Sequence, residues 1–293
     1  MNCKHAVLFF ACCALAPAMA AETTVTRQYK PGEIKTLNIA TVSGGIDLDV
    51  ETGPARLEVS RYDDKLCTLS ITLERGELAA RIAPVPDSGG ACRAQVHITV
   101  PDPAVEPALK TVSGFIDVSG IGSRADLAST SGDITVRAGS DIAVRTVSGD
   151  IMVTGAAGNI DAGSVSGAIK IYSGSAVVAR NISGDIHVAY TKGRADLGTK
   201  SGGITGLLSG PARIETVSGP VDLDWAATPP AGEITAASVS GHIGLDFPVG
   251  AKLAFYRETV TGTVTGQKTM LDMSSRLKVT VTTTSGDIDL GYN

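Results

Sequence analysis

From residue 113 onward the chain alternates apolar and polar positions with period two, in short runs that recur. Ile134/Val136, Ile151/Val153, Ile169/Ile171 and Ile186/Val188 each bracket a polar or long side chain, the mark of a half-buried strand. Each unit carries a second doublet: Ile142/Val144, Ile160/Ala162, Val177/Ala179, Ala195/Leu197 and Ala212/Ile214. No helical spacing competes. The pattern predicts two short strands per unit, joined by tight polar turns.

One phrase punctuates the units and occurs eleven times: a small polar residue, then Val, Ile, Thr or Lys, then Ser or Thr, Gly, any residue, and Ile or Val. Its glycines are Gly44, Gly114, Gly132, Gly149, Gly167, Gly184, Gly202, Gly219, Gly241, Gly262 and Gly286. From Gly114 to Gly219 the steps alternate between 18 and 17 residues, and the step from Gly44 to Gly114 is 70, four times 17.5. Strands this short cannot each bury a core alone, but stacked coils can. The fold class is therefore all-β: a single-stranded parallel β-helix (solenoid) of about 17.5 residues per rung, right-handed as parallel crossovers are. Eleven or more rungs about 4.8 Å apart would make a rod of roughly 50–65 Å.

In such a coil, equivalent letters pile into columns. The repeated Gly132, Gly149, Gly167, Gly184, Gly202 and Gly219 mark a bend or wall with no room for a Cβ. Val147, Val165, Ile182 and Val217 are read as facing inward, which makes Lys200, in the same column, a buried ammonium that must snorkel or sit on a twisted rung. The polar column Thr41, Thr111, Ser129, Thr146, Ser164, Asn181, Thr199, Thr216, Ser238, Thr259 and Thr283 is read as outward.

The ends deviate. Residues 1–20 read as a signal peptide: Lys4, an apolar run from Ala6 to Ala16, and Ala18-Met19-Ala20 before the cut. Residues 21–112 read as irregular β rungs, 113–225 as the regular solenoid, and 226–293 as longer rungs that end it. Export removes three of the five cysteines and leaves Cys67 and Cys92, an even pair in an oxidising space, expected to form a disulfide. The protein is then exported, to the bacterial periplasm, the cell surface or the medium. No later run is long enough to be a transmembrane span. The final rung has little sequence left to cover it, so either a monomer or a weak end-to-end dimer is expected.

Composition narrows the class. With 43% hydrophobic residues the chain can build a core, while 4% aromatics and 34 glycines argue against a helical bundle. The net charge of −5 speaks against nucleic acid as a partner.

The phrase, as in Thr146-Val147-Ser148-Gly149-Asp150-Ile151, resembles that of an exported bacterial β-strand-repeat family of unknown function with an adhesin-type domain, and is similar to adhesin head domains rich in Gly-Ile-Asn. The resemblance implies a β-helix in the cell envelope. It carries no catalytic residues to transfer.

Chemistry is sparse. Acid pairs occur at Asp47/Asp49, Asp222/Asp224 and Asp287/Asp289, each pair on an outer face and the pairs on distant rungs, with Asp246 beside Asp222 and Asp224. Lys170, Tyr172 and His187 lie close across two rungs and could touch a ligand. The column Asp133, Asp150, Asp185 could attract calcium, but shows no bidentate cage. No cofactor or metal site is expected, and Cys67 and Cys92 have no His at ligand spacing. The function expected is a non-enzymatic envelope protein, an adhesin-like binding or interaction scaffold for an envelope protein or glycan. The alternatives are a carbohydrate-active hydrolase or lyase using the Asp222 group, and a water-ordering solenoid using two outward hydroxyl columns.

Overall fold

A computed structural model describes residues 23–266 and 270–292. The signal-peptide reading falls outside them. The protein is an all-β solenoid in which each coil gives one strand to a 14-stranded sheet and one to a 13-stranded sheet. Both sheets are parallel except at the amino-terminal end. Ile134, Ile151, Ile169, Ile186 and Ile204 stand in direct register, and all five are fully buried. A matching column on the facing sheet runs Ile142, Ile160, Val177, Ala195, Ala212. The core lies between these stripes, and toward the carboxyl end Trp225 and Phe247 stack within it with ring centroids 4.6 Å apart, Trp225 Nε1 donating to Gly210 O at 3.0 Å.

The glycine column has a steric cause. A Cβ built on Gly132 would fall 1.8 Å from Gly114 O, one on Gly149 2.2 Å from Gly132 O, and one on Gly167 2.0 Å from Gly149 O. The same holds at Gly184, Gly202, Gly219, Gly241 and Gly286. Each glycine's carbonyl fills the space its successor's side chain would need.

The facing of the two neighbouring columns is the reverse of the sequence expectation. Thr41, Thr111, Ser129, Thr146, Ser164, Asn181, Thr199, Thr216, Ser238 and Thr283 are buried, and Thr259 is half-buried on the outermost coil. Val147, Val165, Ile182 and Val217 are exposed at 38–48%, and Lys200 is exposed beside them. The reason is strand parity. Ile142, Val144 and Thr146 are two residues apart, so the threonine must follow the doublet inward. Its hydroxyl is then satisfied locally. Thr146 Oγ1 donates to Gly132 O at 3.4 Å, Ser129 Oγ to Gly114 O at 3.3 Å, and Asn181 Nδ2 to Gly167 O at 2.5 Å. With one hydroxyl column inside, the two-column surface needed for water ordering is not formed.

The Asp column is also explained internally. Asp133 Oδ1 accepts the amide of Asp150 at 2.9 Å, Asp150 that of Ala168 at 2.8 Å, and Asp185 that of Gly203 at 2.8 Å. These carboxylates cap the next coil's turn. On the 13-stranded sheet, Arg145 lies over Gly163 and pairs with Asp161 at 2.5 Å, and Arg180 lies over Gly198 and pairs with Asp196 at 2.7 Å. This 35-residue repetition matches the paired 17 and 18 steps. The extra residue of alternate coils sits in the bend between sheets, over 156–160 and 191–195.

Residues 47–112 are not four successive rungs. Gly114 lies directly against Gly44, a Cβ on it falling 1.8 Å from Gly44 O. The intervening chain makes one further coil from Glu77–Pro84 and Gln95–Val100, on the far side of Thr36–Val50, and an antiparallel cap. Thr23–Tyr29 pairs with Ala55–Tyr62, which pairs with Gln95–Val100. Cys67–Glu74 forms a hairpin with Glu77–Pro84 through Arg75-Gly76, both at positive φ, as a two-residue primed turn requires. The Cys67–Cys92 disulfide, with Cα atoms 5.1 Å apart, ties this hairpin to the segment before Gln95.

At the other end the last coil in sequence is not the last in space. Leu277–Tyr292 lies between the coil at Gly232–Phe247 and the coil at Ala254–Gly266. The outermost strand, Ala254–Thr261, carries Arg257 and Glu258, both exposed. Charges on an edge strand discourage pairing with another edge.

Gly167→Ala should lower the unfolding free energy by about 3 kcal/mol or more, since backbone rather than a flexible side chain must move. Gly89→Ala, where no atom lies within 4 Å and φ is +67°, should cost only about 1 kcal/mol. Chemical denaturation of the two variants compares them. Replacing Cys67 and Cys92 together by alanine should remove about 3 kcal/mol in the same assay.

Candidate binding face

The outer face of the 14-stranded sheet collects the candidate residues, because strand alternation turns every second side chain outward. One outward column runs Asp47, Asp117, Thr135, Met152, Lys170, His187, Thr205, Asp222. Lys170 and His187 are direct neighbours, Tyr172 and His187 have ring centroids 5.5 Å apart, and His187 Nδ1 shares a hydrogen bond with Thr205 Oγ1 at 3.0 Å. The three residues singled out from the sequence are therefore brought together.

Asp222, Asp224 and Asp246 form a second group two strands further on. Asp224 and Asp246 are direct neighbours. The group is larger than the sequence suggested, because Leu277–Tyr292 is inserted beside it. His242 Nε2 stands 3.7 Å from Asp222 Oδ1 and 3.8 Å from Asp289 Oδ2. Gly291 leaves room for the Asp246 carboxylate, since a Cβ there would fall 2.1 Å from Oδ1. Burial raises the Asp246 pKa, and the charges of Asp224, Asp222 and Asp289 raise it further.

A third group at the opposite end escaped site prediction. Asp47, Asp49, Asp117 and His97 converge because the coils of Gly44 and Gly114 are adjacent. Gln95 bridges them, donating to Asp47 Oδ2 at 2.5 Å while its Oε1 accepts the Gly45 amide. Burial, chiefly, raises the Asp47 pKa, and the Gln95 hydrogen bond opposes that rise. Ser119 donates to Asp49, and Arg137 pairs with Asp117. The acid pair Asp47/Asp49 was the available signal; the 70-residue step hid its neighbours.

The face thus has acidic ends, each with a histidine, around a centre of Lys170, Tyr172 and His187. It is a surface fixed by main-chain ladders rather than a deep cleft. Among the described residues no group of three His, Cys, Asp or Glu is placed to hold a metal ion, and no helix is long and apolar enough to cross a membrane.

The family model Toastrack DUF4097 matches residues 21–207. The chain belongs to this family, whose function is unknown. No curated protein matches it. Among solved structures, a putative adhesin from Bacteroides fragilis is similar at 13% identity and a TM-score of 0.38, over 92% of this chain and 98% of that one. A putative adhesin from Parabacteroides merdae is similar at 8% identity and a TM-score of 0.30, over 91% and 95%. A putative lipid binding protein from Parabacteroides distasonis is similar at 15% and 0.36, over 91% and 96%.

Asp246→Asn should stabilise the protein at neutral pH. The raised pKa means that ionising Asp246 costs the folded state more than the unfolded chain, so its contribution is most favourable below 3.8 and is lost as pH rises through the folded value. The melting temperature of the variant should exceed that of the parent at pH 7, and the difference should vanish below pH 3.8.

Proposed function

We propose that the protein is a non-enzymatic, adhesin-like binding scaffold of the cell envelope, exported to the periplasm or the cell surface, and that it meets an envelope protein or glycan with the outer face of its 14-stranded sheet. The observation that carries this reading is the alignment of Lys170, Tyr172 and His187 with the flanking acid groups on one face held in register by parallel ladders. A preformed surface of this kind binds without the ordering penalty that a flexible one incurs. Tyr172 offers a ring face, and Lys170 and the carboxylates offer hydrogen bonds, a combination suited to sugars and to polar protein surfaces.

One observation favours a second reading, a polysaccharide hydrolase or lyase. Asp246, whose pKa is raised by burial and by the neighbouring carboxylates, sits in register beside Asp224, and glycoside cleavage uses a pair of neighbouring carboxyl groups.

Retention of the protein on immobilised envelope polysaccharides and envelope proteins, with parallel assay of soluble products, separates the two. Binding without product release, weakened about tenfold, or about 1.4 kcal/mol, by Tyr172→Ala with Lys170→Ala, is the expected result. Product release that disappears in Asp246→Asn would establish the enzyme instead. Retention indifferent to every substitution on this face would overturn the assignment of the face.

A further inference from the structure

Away from that face, the 13-stranded sheet carries an exposed aliphatic stripe along the molecule. In register order it reads Val42, Val112, Thr130, Val147, Val165, Ile182, Lys200, Val217, Val239, Thr284, Val260. Val112, Val147, Val239 and Val260 are exposed at 48%, 45%, 50% and 74%. Val, Ile and Thr on a strand are usual; a mainly aliphatic line left to solvent along the molecule is not, and such a patch marks an interaction surface.

From Val112 to Val260 the stripe is self-complementary: read from either end that stretch begins Val, Thr, Val, Val, its centre falls between Ile182 and Lys200, and Val42 extends beyond it. We propose that its occupant is a second copy of this chain, lying side by side and antiparallel, with a two-fold axis between the coils of Ile182 and Lys200. A two-fold interface joins a patch to itself. In this register Val112 meets the second copy's Val260, Thr130 its Thr284, Val147 its Val239, and Val165 its Val217. Lys200 meets Ile182 and never another lysine.

The charged column two residues before the stripe agrees with the same axis. It runs Lys110, Ala128, Arg145, Gly163, Arg180, Gly198, Glu215, Ala237, Thr282, Glu258. Lys110 then faces Glu258, and Arg145, Arg180 and Glu215 face Ala237, Gly198 and Gly163. Each large charged side chain meets an opposite charge or a small residue. A parallel pairing would instead set Lys200 on Lys200.

The size is adequate. Nine steps of about 4.8 Å give a strip roughly 43 Å long. Taken from the charged column across to the turn aspartates, about 17 Å, it offers roughly 700 Å² per copy, close to the ~800 Å² of a stable interface.

Mixed-variant crosslinking tests the axis, in a background with Cys3, Cys12 and Cys13 replaced by serine. Full-length Val165→Cys and Val217→Cys chains should form an intermolecular disulfide when mixed under mild oxidation, and neither should do so alone. Sedimentation of the parent should give twice the monomer mass. Lys110→Glu should weaken association, and adding Glu258→Lys to it should restore it. A parent that stays monomeric at high concentration, crosslinking of Val165→Cys with itself, or dimers untouched by Val217→Lys would each overturn the proposal. Melting curves of the surface variants should match the parent, which separates lost association from lost folding.

Discussion

The close approach of one glycine carbonyl to the next glycine Cα sets everything else in this molecule. With Gly149 pressed on Gly132 and Gly167 on Gly149, successive coils are locked in height and in register, so each residue before or after the glycine must stand over its counterpart. The isoleucine columns, the buried Ser129, Thr146 and Asn181 side chains that reach back to the same carbonyls, and the aspartates that cap the following turn are consequences of that contact. A parallel sheet has no hairpin to set its register. Here a missing side chain performs that task once per turn.

Register turns a short repeated phrase into a surface. A single Lys170 or Tyr172 on a loop would be an ordinary exposed residue. On a ladder it has fixed neighbours above and below, so the few positions that break the repeat become the informative ones. On the 14-stranded sheet these are the acids at either end and the cationic, aromatic centre. On the 13-stranded sheet the departures are Thr130, Lys200 and Thr284, which interrupt an otherwise aliphatic line. The two sheets thus offer chemically distinct outward faces on one rigid body.

Much of this was legible in the residues. The phrase at Gly132 to Gly219 predicts the coil, its length and its core isoleucines, because a period-two pattern repeated every 17 or 18 residues has few ways to bury itself. The spacing also places Lys170, Tyr172 and His187 together. The facing of Thr146 and Val147 was legible too, since Ile142, Val144 and Thr146 share parity; reading the hydroxyl as a surface group overrode it. The glycine carbonyl that makes a buried hydroxyl tolerable belongs to the preceding coil and cannot be seen from local sequence. The amino-terminal cap was less visible. Its 70-residue length happens to be a multiple of the period, and only the Arg75-Gly76 turn signals a hairpin. The company of Asp47 and of Asp222 depends on coils that are neighbours in space and distant, or out of order, along the chain.

The out-of-order coil has a consequence for how the protein is completed. Among the described residues, Ala254–Thr261 and Val264–Gly266 have ladder partners only in the segment that follows them, Leu277–Ser285 and Ile288–Tyr292. That end therefore cannot be built by simple addition, each course resting on the one below. The course of Ala254–Gly266 must wait, unsupported, until Leu277–Tyr292 arrives and slides beneath it like a keystone. A chain cut within Leu277–Tyr292 loses an interior course and strands the tip beyond it, so the loss would be felt across two coils at once.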